Sequence, residues 1–360
     1  RPAWGAVVCR FVKPAEGRSV VHNSRPRVNT LRGEVGAVTA YARKIVESRI
    51  PPEGPFFCVF VRGGAVVFKY FHNAFYEKFP KAVQKTRGCG KLIYMKRSLN
   101  TEELLKNMTL EEKAAIVAGT DFMFTNSVPR LNIPALCTAD GPHGLRKQTG
   151  SMDNGMAGSE PSTAFPTAAA VACGWNTENA RKIGAAIAEE CAFYGVDILL
   201  GPGVNIKRNP LCGRNFEYYS EDPCLAGELA GAEIEGLQSN GAGASLKHFA
   251  LNNAENFRFT GGSFADMRAM REVYLRAFER AVKKGKPYTV MCAYNKINGV
   301  PCAENKWLLT DLLRGEWGFD GAVMTDWGAM RDRVSAIKAG LDLEMPGDTR
   351  YCRKSIIDGV

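Results

Sequence analysis

Short apolar segments alternate with longer amphipathic segments over most of this chain, and this alternation limits the fold more than any other feature. Segments with the length and apolar content of buried strands lie at 133–138, 196–201, 244–246, 289–293, 322–325 and 341–344. Helical segments lie between them, at 178–194, 225–238, 266–284, 306–316 and 329–339. Strand and helix alternating at this spacing predict an α/β fold with a parallel sheet, either open or closed into a barrel.

The positive charge of the chain belongs almost entirely to its first quarter. Residues 1–94 hold 17 Lys and Arg against 5 Glu and no Asp, whereas residues 95–360 hold 30 Lys and Arg against 32 Asp and Glu. The net charge of +10 is therefore no sign of a nucleic-acid surface on the α/β part. We expect no nucleic-acid partner.

Residues 1–94 form a basic segment with weak amphipathic periodicity, scattered Arg and Pro, and a predicted hairpin around Gly63-Gly64. The sequence changes character at Met95, which predicts a domain over 95–360. One hypothesis is that 1–94 is disordered or is upstream sequence translated ahead of a natural start at Met95. The alternative is a small N-terminal domain of unfamiliar type.

Cysteine, histidine and apolar patterning argue against several classes of protein. Eleven Cys without a repeated C-x-x-C spacing, and only four His, predict neither a metal site nor a cofactor. An odd number of Cys, together with no visible secretory leader, favours reduced thiols and a cytoplasmic location. The sequence contains no uninterrupted run of about 18 apolar residues, so we expect no membrane span.

Polar side chains follow nearly every predicted strand. Asp140 and Arg146 follow the first, Arg214 and Glu217 the second, Lys247-His248 the third, Tyr294 the fourth and Asp326-Trp327 the fifth. In a TIM barrel the carboxyl ends of all strands meet at one mouth, whereas an open sheet gathers function only near one switch point. Polar groups at successive strand ends therefore favour a barrel.

The residue types at these strand ends suit a neutral sugar. Carboxylates accept and Arg or Lys donate hydrogen bonds to hydroxyls, while Trp and Tyr offer flat faces to a pyranose ring. Glycoside cleavage needs two carboxyl groups, and only one clear candidate, Asp326, is present. Taken alone, Asp326 is equally consistent with a helix cap or a magnesium ligand. A nucleotide site is disfavoured, because Gly201-Pro202-Gly203 lacks the third glycine of a phosphate loop.

Five motifs in order carry a resemblance over about 104–346. They are DGPHGLR at 140–146, RNPLCGRNFEYYSEDP at 208–223, KHF at 247–249, MCAYNKING at 291–299 and VMTDWG at 323–328. Together they resemble the N-terminal barrel of glycoside hydrolase family 3, in particular its bacterial β-glucosidases. The resemblance implies a TIM-barrel-like (β/α)8 domain and retaining hydrolysis of terminal β-D-glucosyl residues, with a β-glucoside or oligosaccharide as substrate.

The resemblance also implies a role for each matching position. Asp326 is implied to be the nucleophile, and the implied sugar-binding residues are Asp140, Arg146, Arg214, Lys247, His248, Arg258, Met291, Tyr294 and Trp327. Met291 and Tyr294 are equally consistent with barrel core. Glu217 is expected to support an arginine.

The chain departs from the family pattern in its second carboxyl group. Family β-glucosidases take the acid/base from a second α/β domain, so we expect that group to be absent from this chain and the closing barrel helix to be truncated. Family β-N-acetylhexosaminidases use a loop His instead, and no His follows His248 here. A β-xylosidase is a further possibility within the family. A sugar-binding barrel without catalysis is the alternative function.

Overall fold

The computed structural model describes residues 5–7, 57–62, 65–70, 101–149, 158–347 and 349–359. Contacts divide the chain into two units, Arg1–Cys89 and Gly90–Val360. Most of the basic segment 1–94, and Met95 with it, lies outside the described residues. The domain boundary expected at residue 95, and the origin of the segment before it, therefore stay predictions.

The first unit contains an antiparallel sheet of three strands, β1 (Gly5–Val7), β2 (Phe57–Arg62) and β3 (Ala65–Tyr70). β2 is central and pairs with β3 from Phe57 opposite Tyr70 to Arg62 opposite Ala65. The hairpin predicted around Gly63-Gly64 is thereby confirmed.

A parallel sheet of five strands forms the centre of the second unit. Its strands are β4 (Thr138–Asp140), β5 (Ile198–Leu200), β6 (Gly243–Phe249), β8 (Thr289–Cys292) and β11 (Ala322–Thr325). They lie in the spatial order β11, β8, β6, β5, β4. A separate small sheet joins β7 (Gly262–Ser263), β9 (Lys296–Ile297) and β10 (Val300–Pro301). Neighbouring parallel strands joined by helical crossovers confirm the α/β class.

Isolated bridges run from β11 back to β4 and close the sheet into a ring. They pair Met324 with Leu343 and Glu344 with Ala118 in parallel, and Gly119 with Thr125 and Phe124 with Cys137 in antiparallel orientation. The segments 343–344, 118–119 and 124–125 therefore occupy the ring positions that regular strands would fill. The described residues thus form a TIM-barrel-like ring in which one position runs antiparallel.

Two predicted strands have wrong bounds. The strand predicted at 133–138 begins only at Thr138, because Ile133 pairs back onto Val128 across the turn Pro129–Leu131. The strand predicted at 341–344 contributes only the bridges of Leu343 and Glu344. Apolar character alone does not distinguish a residue that forms an isolated bridge from one that lies in a regular strand.

The helices surround the ring. They are α1 (Thr101–Asn107), α2 (Leu110–Ile116), α3 (Ala168–Cys173), α4 (Thr177–Tyr194), α5 (Pro223–Ser239), α6 (Met267–Ala269), α7 (Arg276–Gly285), α8 (Arg333–Ala339) and α9 (Thr349–Ile357). Met270–Tyr274 and Trp307–Glu316 are π-helical, so the helix predicted at 266–284 is divided into three parts. The helix predicted at 329–339 begins at Arg333, since Asp332 caps it by accepting from the Ser335 N–H. The closing helix of the barrel was expected to be truncated. The helix at that position, α9, is nine residues long and packs against α2 and α8.

Helix α5 is held tightly between α4 and α7. A Cβ at Gly236 of α5 would lie only 2.0 Å from the carbonyl oxygen of Arg181 on α4. Glycine at this position therefore allows the two backbones to approach closely. No helix in the described part of the chain is long and apolar enough to cross a membrane.

The side chain of Asn126 stabilises the part of the ring that isolated bridges form. Its amide nitrogen lies 3.0, 2.8 and 3.1 Å from the carbonyl oxygens of Ala115, Ala118 and Gly119, and the residue is buried.

We expect Asn126→Ala to lower the free energy of unfolding by about 2–3 kcal/mol, because buried carbonyls lose their donor. Urea unfolding followed by circular dichroism measures this loss. Exposed Asn179→Ala on α4 is the control, with an expected change within about 0.5 kcal/mol, and equal losses in the two variants would contradict the assignment.

Candidate active site

The carboxyl ends of the parallel strands bring the predicted polar residues together at one end of the ring. Asp140 ends β4, Lys247 and His248 lie near the end of β6, and Asp326 follows β11. The backbone N–H of Asp326 donates to the carbonyl oxygen of Cys292 at 3.0 Å, which continues the β8–β11 ladder past the last strand residue. The position of Asp326 is therefore set by the sheet itself.

Asp326 is buried, with 8% of its surface exposed. Its Oδ1 accepts the Trp327 N–H at 2.8 Å, its Oδ2 lies 3.7 Å from His248 Nε2, and the Tyr294 hydroxyl, which donates to the Trp327 carbonyl oxygen, lies beside the same carboxylate. Burial raises the pKa of Asp326 above its ordinary value, and the Arg214 charge, the Trp327 N–H, the Lys247 charge and the Tyr294 hydroxyl offset this rise only in part. The site thus places cations and donors around one desolvated carboxylate.

The hydrogen bonds of His248 require one tautomer. Its Nε2 lies 2.6 Å from Arg214 Nη2, which can only donate, and its Nδ1 lies 2.9 Å from the Tyr218 hydroxyl. Burial, followed by the charges of Arg214, Lys247 and Arg258, holds the pKa of His248 well below its usual value. The ring is therefore neutral, with Nε2 accepting from Arg214 and the proton on Nδ1.

The backbone of His248 is fixed as firmly as its ring. The His248 N–H donates to Asn205 Oδ1 at 2.8 Å, and Asn205 Nδ2 donates to the His248 carbonyl oxygen at 2.9 Å. Asn205 follows β5, so this reciprocal pair ties the loop after β5 to β6. Such double hydrogen bonding prevents the imidazole from moving away from Asp326.

Lys247 is an almost fully buried ammonium between two carboxylates. Its Nζ lies 2.8 Å from Asp140 Oδ1 and 3.6 Å from Glu217 Oε2, with 4% of the side chain exposed. Burial alone would lower the pKa of Lys247, but the Asp140 and Glu217 charges raise it. Burial would likewise raise the pKa of Asp140, yet the Lys247 charge and hydrogen bond lower it. Asp140 is accordingly ionised, and 40% of its side chain remains open to a ligand.

Arg146 is placed beside Asp140 by the backbone. The Arg146 N–H donates to the Asp140 carbonyl oxygen at 2.8 Å, and Arg146 is exposed. The turn between them passes through Gly141, whose φ of 119° is a conformation that side-chain-bearing residues rarely adopt. The glycine thus lets the chain reverse and return Arg146 to the end of β4.

Two arginines from neighbouring loops share one carboxylate. Arg214 Nε donates to Glu217 Oε1 at 2.5 Å, so the expected support of this arginine by Glu217 is present. Arg258 Nη1 donates to Glu255 Oε2 at 2.8 Å, and Arg214 Nη1 lies 3.8 Å from Glu255 Oε1. Glu255 therefore compensates the charges of both arginines, which would otherwise repel each other.

Aromatic rings line the side of the site next to Arg258. Its guanidinium carbon lies 4.9 Å from the centre of the Tyr294 ring and 5.0 Å from that of Phe259, and the two rings meet edge to face. The Tyr294 hydroxyl also lies 3.0 Å from the Trp327 carbonyl oxygen. These contacts hold Tyr294 against the Asp326-Trp327 dipeptide.

Met291 forms part of the floor rather than an open wall. It is buried in a small cluster with Leu200, Met324, Leu343 and Met345, and Trp327 packs on that cluster. The Trp327 indole Nε1 donates to the Phe122 carbonyl oxygen at 2.7 Å, which fixes the plane of its ring.

Besides Asn205 and Phe259, the residues Tyr218, Asn252 and Glu255 contact the site and were not among its predicted members. Asn252 Nδ2 donates to the Tyr218 hydroxyl at 3.1 Å and to Glu255 Oε1 at 3.0 Å. Tyr218 lies inside the motif at 208–223, and its neighbourhood to Arg214 is the signal that was available in the sequence. Asn252 and Glu255 lie in the loop after β6, where no pattern separates site residues from loop residues.

The arrangement offers the buried Asp326 carboxylate, a ring of fixed donors and an aromatic side, all of which suit a polyhydroxylated ligand. The carboxylates of Asp140, Glu217 and Glu255, which border the site, are each paired with Lys or Arg. Within the described residues, no group of three His, Cys, Asp or Glu side chains is arranged to hold a metal ion.

Comparison with known sequences assigns the second unit to a family. Residues 80–360 match the family model described as the glycosyl hydrolase family 3 N terminal domain. The chain is 53% identical over 264 residues to thermostable beta-glucosidase B of Acetivibrio thermocellus, covering 73% of this chain and 35% of that protein. It is also 53% identical over 251 residues to the exo-alpha-(1->6)-L-arabinopyranosidase of Bifidobacterium longum, covering 69% of this chain and 33% of that protein. The chain thus spans about a third of the length of these relatives.

Solved structures agree with the sequence comparison. The GH3 beta-glucosidase of Bifidobacterium adolescentis superposes with a TM-score of 0.66 at 50% identity, over 71% of this chain and 36% of that one. Beta-glucosidase 3B of Thermotoga neapolitana in complex with glucose superposes with a TM-score of 0.67 at 46% identity, over 71% and 39%. The chain belongs to glycosyl hydrolase family 3, and its α/β unit is the N-terminal barrel of that family.

Proposed function

We propose that this chain supplies the nucleophile and the sugar pocket of a retaining β-glucosidase. The observation that carries the proposal is Asp326, a buried carboxylate at the end of β11 surrounded by Arg214, Lys247 and the Tyr294 hydroxyl. Cations and donors at this carboxylate favour its ionised form, which is the form that attacks an anomeric carbon.

The other polar groups of the site bind the sugar in this proposal. Asp140, which is ionised and partly open, accepts hydrogen bonds from hydroxyls on the far side of the ring, with Arg146 donating beside it. Lys247, Arg214 and His248 are held by fixed protein contacts and contribute donors or acceptors without reorganisation. Arg258, Tyr294 and Trp327 line the remaining side, above the floor that contains Met291.

The reaction proceeds by double displacement. An Asp326 carboxylate oxygen forms a bond to the anomeric carbon while the bond from that carbon to the leaving oxygen breaks, and the leaving oxygen takes up a proton. Water then attacks the anomeric carbon, gives up a proton and releases Asp326 together with the sugar. The two inversions restore the β configuration.

The proton donor in this proposal lies outside the described residues. The charge and hydrogen bond of Lys247 lower the pKa of Asp140, which disfavours the protonated form that an acid catalyst needs, and Glu217 and Glu255 are each engaged in an ion pair with arginine. A retaining enzyme places the second carboxyl group about 5–5.5 Å from the nucleophile. The proposed source of that group is a part of the protein that corresponds to the two thirds of the relatives' length that this chain does not cover.

Two glycones are supported by relatives of equal identity. One relative is named a beta-glucosidase and the other an L-arabinopyranosidase, each 53% identical to this chain. We propose the glucoside as substrate because the solved relatives include complexes with glucose. Aryl β-D-glucoside and aryl α-L-arabinopyranoside tested side by side distinguish the two.

The direct test is covalent trapping. We expect incubation with a 2-deoxy-2-fluoro-β-glucoside that bears an activated leaving group to add one fluoroglucosyl mass, mapped by peptide mass spectrometry to Asp326. The activated leaving group needs no proton, so the acid is not required. Asp326→Ala serves as the negative control and exposed Asp320→Ala as the matched positive one. No adduct in folded protein that binds glucose would favour the sugar-binding barrel without catalysis.

A further inference from the structure

Glu233 is a buried carboxyl group that the proposed reaction does not use. It lies in the third turn of α5, with 3% of its surface exposed. One carboxyl oxygen, Oε2, shares a hydrogen bond with the Tyr219 hydroxyl, and the other, Oε1, is buried with no hydrogen-bond partner in the described structure. Among the described residues no cation pairs with Glu233, so a carboxylate there would be uncompensated and the group is carried as the neutral acid.

The charged groups of the neighbouring helices are engaged elsewhere. On α4, Arg181 pairs with Glu178. On α7, Arg280 and Lys284 both pair with Glu228. Burial raises the pKa of Glu233 to about 8, and the Tyr219 hydroxyl opposes this only in part.

Tyr219 connects Glu233 to the sugar pocket through its neighbour in the chain. Tyr218 and Tyr219 are both fully covered, and adjacent residues of an extended segment point to opposite sides. Tyr219 points to α5, while the Tyr218 hydroxyl contacts His248 Nδ1. Tyr218 also pairs with Gly203, whose missing side chain leaves room for the tyrosine ring.

The segment that carries both tyrosines runs directly into α5. Asp222 caps that helix by accepting from the N–H groups of Cys224 and Leu225. The Glu233–Tyr219 hydrogen bond therefore folds the segment back onto its own helix. Because α5 is wedged between α4 and α7, the helix is a rigid reference for the position of Tyr218.

We propose that Glu233 is a positioning residue, which through Tyr219 and Tyr218 holds the imidazole of His248 and the guanidinium of Arg214 in their places beside Asp326. Only the glucose-binding measurement of this inference rests on the proposed function. The effect of Glu233 on the environment of His248 can be measured whether or not the chain takes part in catalysis.

The test uses the full chain with ¹⁵N-labelled histidine, which gives signals from four residues that His→Gln variants assign. We expect Glu233→Leu to shift the His248 ring resonances and to weaken glucose binding about 5- to 10-fold, the size expected when one positioning hydrogen bond is lost. Glu233→Gln keeps the hydrogen bond and should leave both readouts near wild type at pH 6.5. Exposed Glu235→Leu on the same helix is the matched control.

A pH series separates positioning from a purely structural role. Between pH 6 and 9 the wild-type His248 signals should shift as Glu233 loses its proton near pH 8, and Glu233→Gln should show no such shift. Arg214, Lys247, Asp326 and Tyr218 surround His248 in both proteins, so their titration would appear in both. Unchanged His248 signals in folded Glu233→Leu, or the same pH shift in Glu233→Gln, would overturn the inference. Failure of wild type to bind glucose would refute the sugar pocket and leave the His248 test valid.

Discussion

Replacement of Asp326 by alanine should reduce turnover of an activated aryl β-glucoside by about 10⁴-fold or more. Removing the nucleophile from a preorganised site leaves only the contribution of binding and positioning, and losses on this scale follow in other hydrolases. The measurement is release of the aryl group under saturating substrate. Asp320→Ala, an exposed aspartate close by in the sequence, should retain wild-type turnover.

Azide distinguishes a nucleophile from a carboxylate that only supports the site. In Asp326→Ala the small anion can enter the vacated space and attack the anomeric carbon directly, giving an α-glucosyl azide after a single inversion. We expect this product in the variant and none in wild type. A β-glucosyl azide from the variant, or turnover equal to wild type, would show that another group attacks.

Lys247→Met should cost about 3–5 kcal/mol of unfolding free energy at pH 7, and sugar binding should fall with it. Methionine fills the space of the lysine stem but leaves Asp140 and Glu217 without the ammonium between them. Asp140 then loses its ion-pair partner and Glu217 keeps only its pair with Arg214, and removing one partner from a buried ion pair has a large cost. Urea unfolding at pH 7 measures it.

The exposed pair Lys306–Asp311 provides the control. Its two atoms are 2.6 Å apart, but the side chains are 65% and 48% exposed, so Lys306→Met should cost at most about 1 kcal/mol. Equal losses in the two variants would contradict the account of the Lys247 cluster.

The cost of Lys247→Met should also depend on pH in a defined direction. In wild type the pKa of Asp140 is lowered, so its stabilising contribution is present above the unfolded pKa of about 3.9 and is lost as the pH falls through the folded value. In the variant, burial without the ammonium raises that pKa, and protonation relieves the unpaired charge. The difference between the two proteins should therefore shrink between pH 7 and pH 4. A constant difference would mean that lost packing, not charge, causes the destabilisation.

Much of the fold follows from the spacing of apolar segments. Strands β5, β6, β8 and β11 lie within or around the predicted segments, and helices α4 and α5 lie within one or two residues of theirs. The bounds failed where closure of the ring, not local propensity, decides the conformation. Ile133 pairs with Val128 and Leu343 with Met324, and the apolar character of these residues does not reveal which partner each one takes.

Residue chemistry and order along the chain were enough to predict the α/β class and the barrel mouth, and the family resemblance implied the set of candidate sugar-binding residues around Asp326. Those properties follow from local patterns and from motifs that can be read directly in the sequence. Only the tertiary structure determined that His248 is neutral, that Glu255 serves two arginines and that Glu233 lies behind the pocket. The pKa of a group and the partners of a buried polar atom depend on residues distant in sequence, such as Asp140 and Lys247, which only the closed ring brings within 2.8 Å.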